Sequence, residues 1–583
     1  MKKIRAALLG AGMLWVCHAP SYAAASADGS FKEIYTQEWQ WRKSQDLDPY
    51  RLQGTSLPRV DAAAQQQRLA YWRAVQARLD ALDSGSLSAP QQINYAVYRA
   101  QIRDLIAAQQ FREYEKPLNA DSAFWTDLSY LARQSFRQAA DYRNYIARLN
   151  DVPRYFREQI VNMRAGLRRG FTPPQVTLAG RDVALSAVAD AASPEATIFY
   201  QPFQHLPEGM PPEQQRQLRE QGAAAIRNAV MPAYGALLAF MRGEYLPHAA
   251  TALAAESLPD GKAYYQSKIV EFTTTDVSAE WIHRLGLSEM ANLRLEMDAA
   301  IRQTGFKGDF PAFLAFLRTD PRFYARTPEE LLMRAAFIAK KFDARADQYF
   351  GHLPRRRFGI VPVPPEQAPF YTSGRGGPGI YLVNTYNLAS RPLYSLPALT
   401  LHESAPGHAF QIPLAMEQKD RPAFRNAYIS AYGEGWALYA ERLGAEMGIY
   451  ADAYETFGML SYQAWRAARL VVDTGIHAQG WSREQAQAYL HDNTALSAHE
   501  IETEVDRYIS WPGQALSYYL GELAIINARR KAELVLGERF DIRAFHDTVL
   551  ELGSVPLPVL EKRIEAFITE GGKGPYPESA VED

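Results

Sequence analysis

From about Phe31 to Phe350, apolar side chains recur at steps of three and four, as in Leu69-Trp72-Val75-Leu79-Leu82 and Tyr142-Tyr145-Ile146-Leu149. Such spacing puts an apolar stripe on one face of a helix, and each stripe needs another helix to cover it. Asp151-Val152-Pro153 and Pro173-Pro174 read as helix ends, and Pro173 or Pro174 can start the next element. No fixed-length repeat underlies the pattern, so a solenoid is not expected. The texture changes near His352. Phe358 to Pro365 is extended and proline-rich, Gly374-Arg375-Gly376-Gly377-Pro378-Gly379 reads as a loop, and Ile380 to Thr385 has strand composition. The glycine run lacks the Lys-Ser/Thr of a phosphate-binding loop and leads into a strand, which excludes a nucleotide site of that kind. Helix returns at Leu396. The expected fold is mainly α, with two helical lobes around a deep cleft and a small β element near residues 358–385.

The start of the chain sets the compartment. Met1-Lys2-Lys3-Ile4-Arg5, an apolar stretch from Ala6 to Val16 and small residues around Ser21-Tyr22-Ala23 make a secretory signal, with cleavage expected after Ala23. The apolar stretch is shorter than the ~20 residues of a membrane span, and no later segment is long and apolar enough to be one. Cys17 follows the bulky Val16, where a lipoprotein cleavage site usually has a small residue, so it is read as part of the discarded peptide. It is the only cysteine, so the mature chain would have neither disulfide nor thiolate metal site. With 63 basic and 65 acidic residues the chain is near neutral, which argues against nucleic acid as a partner. The expectation is a soluble chain exported to the periplasm; its oligomeric state is not legible.

His402-Glu403-Ser404-Ala405-Pro406-Gly407-His408 carries the chemistry. In an HExxH helix, two histidines four apart share a face and one metal, and the glutamate between them activates water. Here the histidines are six apart, which on an unbroken helix of about 100° per residue puts them on different faces. Pro406 and Gly407 offer a remedy: a break at Ala405–Gly407 that returns His408 to the metal. A third ligand lies in Gly433-Glu434-Gly435-Trp436, 26 residues after His408, with room for a turn at Lys419 to Pro422 and an antiparallel second helix. A carboxylate among such neighbours needs an ion or a partner. Glu441, seven residues on and on the same stripe, could hydrogen-bond a ligand imidazole. On residues alone the plainer reading stays open: two helix-end histidines and a salt-bridged core glutamate.

Three segments in order, His402-Glu403-x-x-Pro406-Gly407-His408, Glu434-Gly435-Trp436-Ala437-Leu438-Tyr439-Ala440-Glu441 and Tyr508-Ile509-x-Trp511-Pro512-Gly513-Gln514-Ala515, resemble the bacterial family named "domain of unknown function 885". That family is placed among helical zinc peptidases related to carboxypeptidase Taq and angiotensin-converting enzyme. The resemblance runs from about Pro378 to Gly521 and is weaker before it. It implies one zinc ion held by His402, His408 and Glu434, with Glu403 as base and a short peptide as substrate. Where the family usually has a second histidine after the Pro-Gly-His, this chain has Ala409. The organisation implied is a signal peptide (1–23), a helical N-terminal region (24–350) and a catalytic metal-binding region (351–583), in one continuous peptidase-like domain.

Two further clusters are candidates. Arg469, Asp473 and His477 recur at i+4 steps. They form either a solvated salt-bridge ladder or a substrate-facing group. In the second case Arg469 or Arg466 pairs with a substrate carboxylate and His477 bonds the tetrahedral intermediate, as the family string also favours for His477. Tyr508 and Tyr518 are alternatives for an oxyanion donor, and His499-Glu500 is a decoy without a second histidine. The expected function is an exported zinc metallopeptidase. The alternatives are a zinc hydrolase of non-peptide amides or esters and a non-catalytic exported binding protein.

Overall fold

The computed structural model describes residues 26–576 other than 46, 48–53, 121, 366, 367 and 420. The signal sequence and Cys17 lie outside the described residues. Helices dominate. Before the sheet, the main ones are α1 (Ala27–Ser44), α2 (Ala62–Asp80), α3 (Ala89–Gln110), α4 (Ala139–Arg169) and α5 (Ala279–Thr304). After it come α6 (Leu396–Glu403), α7 (His408–Glu417), α8 (Ser430–Glu446), α9 (Ala453–Gln479), α10 (Ala498–Ser510) and α11 (Ser517–Leu536). Local chemistry sets the ends. Ser278 and Asp452 accept hydrogen bonds from the first backbone N–H groups of α5 and α9, and Gly305 and Gly480 close the same helices in the left-handed conformation. Ser497 and Glu500 form a capping box at the start of α10, which gives the glutamate of the His499-Glu500 pair its structural role.

The apolar stripes are buried in two cores. One runs through α1, α2, α3, α5 and everything from about residue 253 to the C-terminal helices, so it crosses residue 350 without a break. There the sequence changes texture but the core does not divide. The second core is built from residues 118–249 with Leu57, around α4. α9 is central: from Phe457 to His477 every residue but Trp465 is buried. A helix buried all round is a core helix, not a two-faced surface one.

Three strands, β1 (Gly359–Pro362), β2 (Gly374–Gly377) and β3 (Ile380–Val383), form a sheet in the order β1-β3-β2. β1 runs parallel to β3 and β2 antiparallel to it, with Gly376 opposite Tyr381. Gly374 to Gly377 is thus a strand and not the expected loop. Glycine has poor strand propensity, but side chains here would collide: a Cβ at Gly376 would lie 1.7 Å from the Glu403 carbonyl oxygen. Pro153 also departs from expectation, since it sits inside α4. Leu149, Val152 and Phe156 pack that stretch into the second core, which outweighs the one hydrogen bond a proline removes.

Candidate metal centre

The chain between the two histidines is where helical geometry stops. α6 ends at Glu403, Ser404 and Gly407 have non-helical torsions, the Ala405–Pro406 peptide is cis, and α7 begins at His408. The break falls at Ala405–Gly407 as the sequence requires, but glycine is needed there for a different reason. Its φ of −72° is ordinary. What excludes a side chain is space, because a Cβ would lie 1.8 Å from the His402 carbonyl oxygen. The Gly407 N–H reaches back to the Leu401 carbonyl at 3.0 Å. From α8 the buried Trp436 indole donates to the Pro406 carbonyl at 2.7 Å, fixing the loop.

As a result the imidazoles of His402 and His408 stand 4.9 Å apart, centre to centre, at 88°. Glu434 Oε2 lies 3.5 Å from His402 Nε2 and 3.4 Å from His408 Nε2. These separations are long for N–H···O hydrogen bonds, whose range is about 2.7–3.2 Å. They match the edge of a tetrahedron about one ion, about 3.3 Å for metal–ligand bonds near 2.0–2.1 Å. The ligand atoms of all three residues fall within 4.8 Å of one another, and no other such group converges among the described residues.

The surroundings complete the donor set. Glu441, fully buried, accepts from His402 Nδ1 at 2.8 Å, which places the proton on Nδ1 and leaves Nε2 as a lone-pair donor. Burial opposes a charge on His402, yet Glu434 and Glu441 on its two nitrogens, with Glu403 nearby, lift it to about 10. Burial also works against the Glu434 charge, but His408 and His402 hold its carboxyl well below the ordinary range. Two imidazoles and a carboxylate that jointly favour positive charge at one point are a suitable set for a divalent cation. The other Glu434 oxygen accepts from the Tyr428 hydroxyl at 2.9 Å. Glu403 is half-buried beside the cluster, and its Oε2 accepts from the Gly376 N–H on β2 at 2.6 Å.

Helix crossings set these positions. α8 and α11 meet at Gly435 and Gly521, where a Cβ on Gly521 would stand 1.9 Å from the Ala431 carbonyl oxygen. Gly433 leaves room for the Tyr428 ring, which a Cβ would meet at 2.3 Å. Sequence reasoning does not single out Tyr428. The glycine just before Glu434 is the trace it leaves there.

The remaining candidates divide. Arg466 Nη2 stands 3.9 Å from Glu441 Oε1. Arg469 is buried and pairs with Glu504 at 2.9 Å, not with Asp473, and its Nε donates to the Tyr508 hydroxyl at 2.9 Å. The solvated ladder is therefore absent. Asp473 is fully buried and accepts from the Tyr265 hydroxyl and the Gly513 N–H; burial pushes it up to about 7, against those hydrogen bonds. His477 is a correction. Its Nδ1 accepts from the Ala255 N–H at 3.0 Å and its Nε2 bonds the Tyr508 carbonyl at 2.9 Å, so both nitrogens are committed to backbone. Burial lowers it to about 4, which keeps it neutral. The Tyr508 hydroxyl receives both Arg469 and the Trp465 indole and is buried. Tyr518 is half-buried, and its hydroxyl accepts from Arg507 at 3.3 Å. Burial, then the charge of Glu403 and the phenol of Tyr130, raise Tyr371, with Arg375 acting in the opposite sense.

No curated protein matches the chain. Among solved structures, a candidate lipoprotein from Colwellia psychrerythraea is similar at 26% identity, with a TM-score of 0.87, over 94% of this chain and 100% of that one. A candidate lipoprotein of unknown function from Shewanella oneidensis shares the fold, with a TM-score of 0.68 at 18% identity over 92% of this chain and 99% of that one. The family model for "bacterial protein of unknown function (DUF885)" matches residues 48–564, and the chain belongs to that family.

Proposed function

We propose that the chain is an exported zinc metallopeptidase that hydrolyses short peptides. The observation that carries this reading is the convergence of His402 Nε2, His408 Nε2 and Glu434 Oε2, with Glu441 behind His402 and Glu403 alongside. A zinc ion held by the three ligands would polarise the scissile carbonyl and acidify a water molecule. Glu403 is the proton carrier: with Oε2 tied to Gly376, its other oxygen takes a proton from the attacking water and returns it to the leaving amine. Glu441 keeps His402 in the tautomer with the proton on Nδ1. Tyr428, by occupying Oε1 of Glu434, leaves Oε2 as the ligand atom. Of the two tyrosine candidates, Tyr518 suits the oxyanion better, because its hydroxyl accepts one bond from Arg507 and keeps its own proton to donate.

Export to the cell envelope is supported by the basic and apolar N-terminus and by the similar candidate lipoprotein from Colwellia psychrerythraea. That relative's description makes lipid attachment at Cys17 the alternative to cleavage after Ala23, and the mass of the mature N-terminus distinguishes the two.

The test is zinc content together with peptide turnover. Purified protein is expected to hold one zinc per chain, and Glu403→Gln is expected to keep that zinc while losing at least about 100-fold in kcat. A Glu403→Gln protein that cleaves peptides as fast as wild type would refute the assignment.

A further inference from the structure

Strand β2 carries one side chain, and it is charged. The other three residues are glycines: a Cβ at Gly376 would strike the Glu403 carbonyl oxygen, and one at Gly374 would crowd the Leu382 carbonyl oxygen at 3.1 Å. Those two glycines face inward. Arg375 alternates with them, so it points to the outer side of the sheet, where it is exposed. Leu382 is the cross-strand partner of both Arg375 and Val361, which puts all three on that outer face, with Ile380 two residues along. Val361 and Ile380 are each 38% exposed there.

This face borders the metal centre. Gly376, the next residue after Arg375, holds Glu403 Oε2 at 2.6 Å. The Arg375 guanidinium stands 5.7 Å from the centre of the Tyr371 ring, and Tyr371 is close enough to Glu403 to feel its charge. At the turn from β2 into β3 a second exposed arginine, Arg356, lies against Gly379: its Nε would be 2.9 Å from a Cβ there. The ion pairs of this surface use other residues. Asp343 takes Lys340 and Arg357, Glu417 takes Arg355, and Glu500 takes Arg391. Among the described residues no carboxylate, Asp347 included, pairs with Arg356 or Arg375. Two uncommitted cations with apolar side chains on one face complement a partner that is acidic and extended.

We infer that Arg375 and Arg356 bind acidic side chains of the substrate, so that the peptides this chain cleaves are acidic ones. The inference rests on the metallopeptidase reading and adds a substrate class to it. Spacing sets the pattern. Strand residues advance about 3.3 Å, so Arg375 and Gly379 are at most about 13 Å apart along the hairpin. An extended peptide repeats its same-face side chains every ~6.6 Å, so two acidic residues separated by one or by three others reach both arginines. Arginine suits the task because its planar fork matches a carboxylate and stays charged.

The test compares short peptides of one sequence and the same free ends, in which a Glu-x-Glu pair or its Gln-x-Gln counterpart is moved along the chain. Binding is titrated on zinc-loaded Glu403→Gln, and kcat/KM is measured on zinc-loaded wild type. At the best position the Glu peptide is expected to bind about 10-fold more tightly than the Gln peptide, with the same preference in kcat/KM. About 1 M salt should remove most of that advantage, because both arginines are exposed. Equal binding of Glu and Gln peptides at every position overturns the inference, and cleavage of both would then leave the metallopeptidase reading standing. If wild type cleaves no peptide while Glu403→Gln still prefers Glu, the acidic site stands and the peptidase reading falls. Arg375→Gln, at unchanged zinc content, is expected to bring the preference below about 3-fold. A preference that it leaves intact takes Arg375 out of the site and overturns the assignment.

Discussion

At His402 the two ring nitrogens have different tasks, one facing Glu434 and the other tied to Glu441. Removing either kind of contact has a distinct expected result. His408→Ala is expected to leave no stoichiometric zinc after dialysis, whereas Glu441→Gln should keep it with about 10–100-fold lower affinity, measured by competition with a chelator. Equal affinity in Glu441→Gln and wild type would mean that the 2.8 Å bond does not orient the ligand. Glu522 gives a pH prediction. It is 1% exposed, neither oxygen has a hydrogen-bond partner, and Arg442 stands 3.8 Å away. Burial pushes it up to about 8 from an ordinary 4.5. Between those values the folded chain holds a proton that the unfolded chain releases, so stability falls as pH rises through that window. Glu522→Gln, neutral throughout, should show a smaller drop in Tm from about pH 5 to about pH 8 than wild type; parallel drops would mean that the carboxyl is ionised in the fold.

Close approach, not residue preference, places the elements around the metal centre. Gly521→Ala would put a methyl group against the Ala431 carbonyl and wedge α8 from α11. Overpacking of this kind costs about 1–3 kcal/mol, so a lower Tm and weaker zinc retention are expected together. Gly376→Ala presses on Glu403 and not on a ligand. It should keep zinc and lower kcat, and a variant that loses zinc instead would place β2 wrongly. The sequence makes some of this legible. Pro406 and Gly407 announce the break in the helix, and the histidine spacing says where it must fall. It conceals β2, because a strand of glycines looks like a loop until Glu403 is seen lying against it. Pro153 misleads in the opposite direction, since the core holding α4 together is assembled from residues distant in the chain. Tyr428 is equally hard to find, as no spacing rule links it to Glu434, and none links Glu504 to Arg469 on another helix.

For the whole molecule, two apolar cores imply two levels of stability. The core of residues 118–249 includes Met163, fully buried, and Met163→Ala should cost about 2–5 kcal/mol. Hydrogen exchange is expected to speed up in that core while protection in α8, α9 and zinc content stay near wild type; loosening of both cores together would show one cooperative unit. The second core also touches the rest through the Ala120 N–H, bonded to Ser510 at 2.8 Å, so its attachment is specific. The ligands, by contrast, are local. His402, His408, Glu434 and Glu441 fall within forty consecutive residues. Closing so short a loop costs little chain entropy, since the cost grows only by about 0.6 kcal/mol per doubling of length. A metal ion there would join neighbours in the chain, not its distant ends. Chelation should therefore free the stretch from α6 to α8 to fluctuate while leaving the long-range architecture in place.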